Sequence, residues 1–471
     1  MMTDALGPAG TDFLARLQAR LPSLVVNDAQ PHHLEEPRGK WRGRPGPVAY
    51  PRSVEEVSAI VTQANTDGVG VVPYGGGTGL VGGQVMSDGA LPILVSLEKM
   101  TAVRAVYPGE NAIIVEAGVT IDAVQNAARD VGRMFPLAYA SSGSARIGGA
   151  LSVNSGGLNV LRYGMARDLA LGIEAVLPNG DILHGLKRLR KDNTGFDLRH
   201  LLIGAEGTLG IITAASLKLL PEPGERATAL LNVSSPAAAM ALLNTAKGVA
   251  GEMISAFELI GGMGLRFLRE VLPDLRQPLG LPPPDWAVLI EIETPKGVGA
   301  REMLLEVFEQ GLVAELISDG NLAESETQRA EFWAVREAIP EANRRIGAIA
   351  SHDISLPLSE VAGYIERTSA ELAAYRINVF GHLGDGNLHF NVFAPEEQSP
   401  SDFRDYAAQI SRLIHDNAAA VGGSFSAEHG VGRAKTGDLA RYGDPAKLTA
   451  MRAIKAALDP KGIMNPGVIF G

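Results

Sequence analysis

Tyr74-Gly75-Gly76-Gly77-Thr78-Gly79-Leu80-Val81-Gly82-Gly83 places six glycines in ten residues, and the organisation of the chain turns on what they do. They follow VGVVPY (69–74), which reads as a short strand. Within them Gly77-x-Gly79-x-x-Gly82 fits the dinucleotide fingerprint. That motif requires a helix to open on the glycines and face the pyrophosphate. The chain instead continues GGQVMSDGALP, turn-like and without helical period, so the Rossmann reading fails on context. Consecutive glycines without a helix suit a backbone nest whose N–H groups converge on phosphate oxygens. Two further clusters lie downstream: Gly143 to Ala150, running on to Asn154-Ser155-Gly156-Gly157, and Gly204 to Ile212. Tight turns explain any one of them. Three in one half of the chain favour a single large ligand.

Working outward, Ser53-Val54-Glu55-Glu56 is a capping box that opens a helix with Val54, Val57, Ile60, Val61 and Ala64 on one face, closed by Gly68. VRAVYP and AIIVEAGV read as strands and 120–131 as an amphipathic helix. Pro221-Glu222-Pro223-Gly224 is a domain boundary. Residues 226–277 read strand, helix, strand, helix. A proline-rich connector over 277–285 is extended and exposed. A second set follows: strand 286–293, helix 299–311, strand 313–318 and a long helix over 323–345. Antiparallel pairing of the two sets predicts a sheet with helices on one face.

The 471 residues exceed what one hydrophobic core usually serves. With 46% apolar and 20% charged residues the composition is that of a globular protein. A formal charge of -11 argues against phosphate-backbone binding, so no nucleic-acid partner is expected. The chain has no cysteine, which excludes disulfides, thiolate nucleophiles and iron–sulfur clusters. No apolar run approaches the roughly 18 residues of a spanning helix. The early acids of the N-terminus are unlike a secretory signal, and a cytoplasmic location is expected.

The second half carries Phe380-Gly381-His382-Leu383-Gly384-Asp385-Gly386-Asn387-Leu388-His389-Phe390-Asn391-Val392. Asp385-Gly386 is a hairpin turn signal between two alternating runs. His389 and Asn391 share one face, and a hairpin brings His382 close to them. Later comes Ser426-Ala427-Glu428-His429-Gly430-Val431-Gly432, a glycine-flanked turn. Two histidines and a carboxylate make a three-ligand set for a divalent metal with open positions. A hydrogen-bonded structural hairpin explains the histidines equally well.

Taken together, PYGGGTGLVGG, IGGALSVNSGGLNVLRYG, LLIGAEGTLGIIT, HLGDGNLHFN and AEHGVG resemble the vanillyl-alcohol oxidase superfamily. The similarity is to its type 4 FAD-binding oxidoreductases, the branch holding D-2-hydroxyglutarate dehydrogenase, D-lactate dehydrogenase and the glycolate oxidase flavoprotein subunit. It covers residues 45 to 471. The resemblance implies an α+β fold: a two-subdomain FAD-binding domain plus a substrate (cap) domain whose antiparallel sheet is covered by helices. The expected divisions are an N-terminal helical segment (1–44), the FAD domain (45–223), the cap (224–423) and a C-terminal segment returning to the FAD domain (424–471).

By position in the motifs, Gly75, Gly76, Gly77, Thr78 and Gly79 would cradle the FAD pyrophosphate. Gly148, Gly149, Asn154, Gly210, Ile212 and Asn465 would line the cofactor. Relatives that attach flavin covalently use a histidine in the first glycine loop. None lies there, so non-covalent FAD is expected. The resemblance makes His382, His389 and Glu428 the ligands of a divalent metal, with zinc the expected ion, and His429 the general base. Arg336 and Asn391 would bind the substrate. The implied reaction is oxidation of a D-2-hydroxy acid to the 2-oxo acid, with hydride passing from C2 to the flavin. D-2-hydroxyglutarate dehydrogenase proper, a non-redox or oxidase relative, or an accessory flavin-binding subunit of the same fold remain alternatives. The resemblance also implies a separate electron acceptor, whether electron-transfer flavoprotein, quinone or cytochrome, and a homodimer is the assembly envisaged.

The chain departs from the D-2-hydroxyglutarate pattern of arginine, threonine four residues on, and a later lysine. Arg336 is kept, Pro340 replaces the threonine, and Ser351 stands where the lysine would be. Without the resemblance, Arg336 reads as a surface ion pair with Glu337 or Glu341. If a diacid is nonetheless preferred, His352 is the first candidate for the missing cation.

Overall fold

Ser53 caps the helix Val54–Asp67, its hydroxyl accepting from the Glu56 N–H, and Gly68 ends it in the left-handed conformation. Capping and apolar spacing thus act where the sequence places them. The computed structural model describes residues 6–280 and 282–471. Residues 1–5 of the expected N-terminal segment and Leu281 of the proline-rich connector lie outside them. Among the described residues no helix is long and apolar enough to cross a membrane.

The chain divides into two units: Met1–Gly157, Gly164–Glu222 and Glu428–Gly471 form the first, Leu158–Tyr163 and Pro223–Ala427 the second. In the first, β1 (Val25–Asp28), β2 (Pro47–Tyr50), β3 (Val71–Tyr74) and β4 (Ile93–Ser96) form a sheet of order β1-β2-β4-β3. β2, β4 and β3 run parallel and β1 is an antiparallel edge. The described residues of the expected N-terminal segment, 6–44, are tied to this sheet. Their strand joins this sheet, and Phe13 and Leu17 of the helix Thr11–Arg20 pack in the same core as Val57 and Ile60.

The rest of this unit contributes β5 (Val103–Tyr107), β6 (Ala112–Glu116), β7 (Arg133–Met134), β8 (Ala170–Val176), β9 (Ile182–Gly185), β10 (Ile211–Lys218) and β11 (Leu220–Pro221). Five of them make an antiparallel sheet, β5-β6-β10-β8-β9, and β7 pairs with β11. The helix expected over 120–131 spans Ile121–Arg129 against this sheet's core.

The second unit is built on β12 (Glu225–Val233), β13 (Ile254–Gly261), β14 (Trp286–Thr294), β15 (Ile317–Leu322), β16 (Ala350–Ser355), β17 (Arg376–His382) and β18 (Asn387–Phe393). They form one antiparallel sheet of order β15-β12-β14-β13-β17-β18-β16. The helix expected at 299–311 runs on to Val313, and Glu315 turns the chain at φ +54, so the strand expected at 313–318 begins at Ile317.

Helices cover both faces rather than one. Ala229, Leu231, Val288, Ile290, Phe257 and Leu259 pack under Pro236–Ala250, Ala300–Val313, Val361–Glu371 and Ala407–Ala420. Their strand neighbours Leu230, Ala256, Ile260, Ala287 and Leu289 pack under Gly262–Val271 and Glu326–Ile346. Strands buried on both sides lose the polar–apolar alternation that marks an open face.

The C-terminal segment is part of the first unit. Val71 donates its N–H to the Ile463 carbonyl at 2.8 Å, and the Asn465 N–H returns to the Val71 carbonyl at 2.8 Å. A buried pair locks this strip: Lys455 Nζ donates to Asp459 Oδ2 (2.5 Å), the Thr208 carbonyl (2.7 Å) and the Met464 carbonyl (2.9 Å). Asp459 also accepts from the Ile463 and Met464 N–H groups. Lys455→Met would strand the wholly buried Asp459 carboxylate. Removing one member of a buried pair costs about 3–5 kcal/mol, so chemical denaturation should show a loss of that size.

Candidate functional site

Two sites emerge, one in each unit. In the first, the residues after β3 stay irregular, as expected for a nest rather than a Rossmann turn. Gly77 takes φ +70, a conformation other residues adopt at a cost. A Cβ on Gly76 would overlap the Ser144 carbonyl oxygen, and one on Gly75 would sit 3.5 Å from Gly149 Cα. The first two glycine clusters therefore touch. Gln84 Nε2 props the loop by donating to the Gly79 carbonyl at 2.8 Å.

The third cluster enters through Glu206, which the sequence reading missed. Its carboxylate accepts from the Val431 N–H (2.8 Å) and the Gly432 N–H (2.7 Å). Burial pushes the Glu206 carboxyl up, while those two N–H groups pull it down. Asn465 links the same parts, Nδ2 donating to the Gly83 carbonyl at 3.0 Å and the Glu206 carbonyl at 2.8 Å.

These residues fit a large anionic ligand on three observations. A Cβ on Gly149 would meet nothing within 4 Å, so packing does not explain that glycine. Asn465 Oδ1 is buried and without a hydrogen-bond donor. Arg146 Nε and Arg433 Nη2 are buried donors without an acceptor. A buried polar atom without a partner needs one, and a bound ligand is one source of it.

Other expected cofactor residues have packing roles of their own. A Cβ on Gly148 would lie 2.7 Å from Ala117 Cβ, and one on Gly210 would lie 2.7 Å from the Val176 carbonyl. Ile212 is a member of the buried core. Asn154 sits at φ +53 and accepts from the Arg167 N–H at 2.9 Å, anchoring a turn. Thr78 lies half-buried in the first loop.

In the second unit the predicted hairpin forms, β17 and β18 joined by a short turn with Gly386 at φ +82. Strand alternation puts Asn378, Phe380 and His382 of β17 on one face with His389 and Asn391 of β18. The register pairs Phe380 with His389, Asn378 with Asn391, Ser351 with Asn391 and Asp353 with His389. The His382 and His389 rings come to 5.7 Å, centroid to centroid. Asn391 donates to the His389 carbonyl at 3.2 Å.

Glu258, also missed, sits directly opposite His382 across β13 and β17. Its side chain is 1% exposed. Oε1 lies 2.6 Å from His382 Nδ1, and Oε2 accepts from Arg336 Nε at 2.6 Å. Burial would raise the Glu258 carboxyl, but charge on His382 and Arg336, with their hydrogen bonds, holds it at about 2. Arg336 is thus no surface residue paired with Glu337 or Glu341. It is 4% exposed, with its guanidinium 4.8 Å from the Phe380 ring centre.

The same face carries two further acids, each paired. Glu291 takes Arg329 at 2.6 Å and Trp333 Nε1 at 3.0 Å, and Glu293 takes Arg226 at 2.7 Å and the Tyr163 hydroxyl at 2.6 Å. Pro340 lies exposed one turn beyond Arg336 within the helix Glu326–Ile346. His352 does not supply a cation here. It points to the opposite face, where Nδ1 lies 2.9 Å from His415 Nε2. In the first unit, Glu428 and His429 occupy an irregular segment, and Glu428 Oε1 accepts from the Gly157 N–H at 2.7 Å.

Comparison with known proteins gives the family of the chain. The model for FAD linked oxidases, C-terminal domain, matches residues 222–469, and an FAD binding domain matches 45–185. D-2-hydroxyglutarate dehydrogenase, mitochondrial, of Bos taurus is 36% identical over 97% of this chain and 82% of its own. The D-2-hydroxyglutarate dehydrogenase of Xanthomonas citri is 36% identical over 96% of each. Among solved structures, p-cresol methylhydroxylase superposes with a TM-score of 0.76 at 15% identity, covering 98% of both chains. The 4-ethylphenol oxidase of Gulosibacter chungangensis gives 0.73 at 18% identity, covering 100% of this chain and 99% of its own. These last two speak for the fold alone, while the sequence matches show that the chain belongs to the FAD-linked oxidase family.

Proposed function

We propose that the protein is a FAD-dependent dehydrogenase that oxidises a D-2-hydroxy acid to the 2-oxo acid. The observation that carries this reading is the polar face of the second unit's sheet. There two imidazoles stand near a buried arginine, and Glu258 joins one of them to it. The bound flavin supplies a hydride acceptor, the part of the chemistry no side chain can perform. The backbone N–H groups of Gly75 to Gly79 would hold its pyrophosphate, and with no histidine in that loop the cofactor would be dissociable.

His382, His389 and Glu428 are the residues we assign to hold a divalent ion, and a nitrogen–oxygen set of this kind would suit zinc. The chemistry such an ion supplies is polarisation of the substrate hydroxyl. His429 takes the hydroxyl proton, a task matched to an imidazole near neutral pH. Arg336 and Asn391 orient the carboxylate by charge-assisted hydrogen bonding.

The choice among acids rests on two departures. The names of the 36% identical relatives favour D-2-hydroxyglutarate itself. Pro340 and Ser351 weigh against it, because a threonine hydroxyl and a lysine ammonium are missing from the expected diacid pattern. With His352 on the other face, we assign a monocarboxylic or otherwise different D-2-hydroxy acid as the preferred substrate.

Two measurements test this. A chelator should abolish anaerobic bleaching of the flavin by substrate while the oxidised flavin spectrum persists, and His382→Ala and His389→Ala should behave like the chelated enzyme. Full bleaching in either variant removes the metal from the account. Ser351→Lys should raise kcat/KM for D-2-hydroxyglutarate relative to D-lactate. A charged contact is worth about 1.5–3 kcal/mol, roughly tenfold or more in that ratio. A wild type that already prefers D-2-hydroxyglutarate by a wide margin contradicts the assignment.

A further inference from the structure

Glu258 uses both of its oxygens on the groups that matter to the proposed reaction, one on His382 and one on Arg336. Packing alone does not require this arrangement. Glu291 and Glu293, on the same face, are satisfied by arginines with tryptophan, threonine or tyrosine, and neither touches an imidazole. Glu258 alone bridges a histidine of the hairpin to an arginine of the covering helix. It is placed to do so by strand register, standing opposite His382.

The hydrogen bond has a chemical consequence for the ring. An imidazole whose Nδ1 faces a carboxylate carries its proton there, so the lone pair of the neutral ring is on Nε2 and the ring plane is held. His389 faces Asp353 across β16 and β18. Its Nδ1 lies 4.0 Å from Asp353 Oδ1, beyond hydrogen-bond length, and that oxygen accepts from Asn387 Nδ2 at 2.9 Å.

We infer that Glu258 is a positioning residue: it fixes the Nδ1-protonated tautomer of His382, which leaves the Nε2 lone pair for a metal, and ties that ring to Arg336, so that metal affinity and carboxylate recognition depend on one buried carboxylate. This rests on the metal reading above. Carboxylates behind metal-bound histidines typically contribute 10–100-fold to metal affinity, which sets the size of the effect.

The test titrates metal-stripped, FAD-loaded protein with Zn2+ against a competing chelator, and with Co2+ by its visible spectrum. Glu258→Gln should weaken Zn2+ by about 10–100-fold, alter the Co2+ bands at saturation and raise KM for the hydroxy acid. A carboxylate that merely supports the fold would leave the Co2+ bands unchanged. Unchanged Zn2+ affinity and Co2+ spectrum in a variant that still binds FAD overturns the inference. Should Glu258→Gln fail to hold FAD, Glu258→Asp keeps the charge at a shorter reach and should show weaker Zn2+ binding with altered bands. Wild-type behaviour there overturns the inference equally. His382→Ala separates the two levels. If wild type and His382→Ala take up Zn2+ alike, the metal reading itself fails and this inference falls with it. Loss in His382→Ala without loss in the Glu258 variants removes only Glu258's role.

Discussion

A sheet covered by helices on both faces can hold charge only where every charge is answered. The seven-stranded sheet of the second unit meets that constraint three times on one face: Glu258 with Arg336, Glu291 with Arg329, and Glu293 with Arg226. Leaving any of these carboxylates alone in the core would cost several kcal/mol. The arginines on the helix Glu326–Ile346 are consequently fixed in place, and Arg336 is held next to the hairpin histidines rather than free to reach solvent. The polar face exists because its charges are paired, and its chemistry follows from which partner each carboxylate received.

The first unit solves a different problem. Its glycine loops bring backbone close to backbone, with side chains excluded at Gly76 by the Ser144 carbonyl and at Gly148 by Ala117. What remains is an array of N–H groups, with buried donors on Arg146 and Arg433 and a buried acceptor on Asn465. Anionic groups of a cofactor would supply acceptors for these donors, and a donor group on the same ligand would answer Asn465 Oδ1. Glu206 holds the same region from the inside, linking residues 431–432 to the third glycine cluster.

Much of this was legible from local signals. The Ser53 cap, the turn at Gly386 and the helix-free glycine loop each depend on residues within a few positions of one another, and each formed as read. Glu258 was not legible, because its partner His382 lies 124 residues away and the strand ISAFELIG shows only one acid in an apolar run. The second layer of helices was hidden for a related reason: strands buried on both sides have no period from which to tell one face from the other. His352 shows how sharp the strand phase is. One step along β16 from Ser351 moves a side chain through the sheet, away from the hairpin histidines and onto His415. Gly210 and Ile212 lie in a motif of the cofactor domain, yet their immediate neighbours are a carbonyl of β8 and the core.

The central claim is that C2 of a D-2-hydroxy acid gives its hydride to the flavin. Rapid mixing of the oxidised protein with D-lactate under anaerobic conditions, with hydrogen or deuterium at C2, measures that transfer directly. The account predicts flavin bleaching with the D enantiomer, slowed by deuterium at C2, and none with the L enantiomer. Equal rates for the two isotopes, or for the two enantiomers, would contradict it.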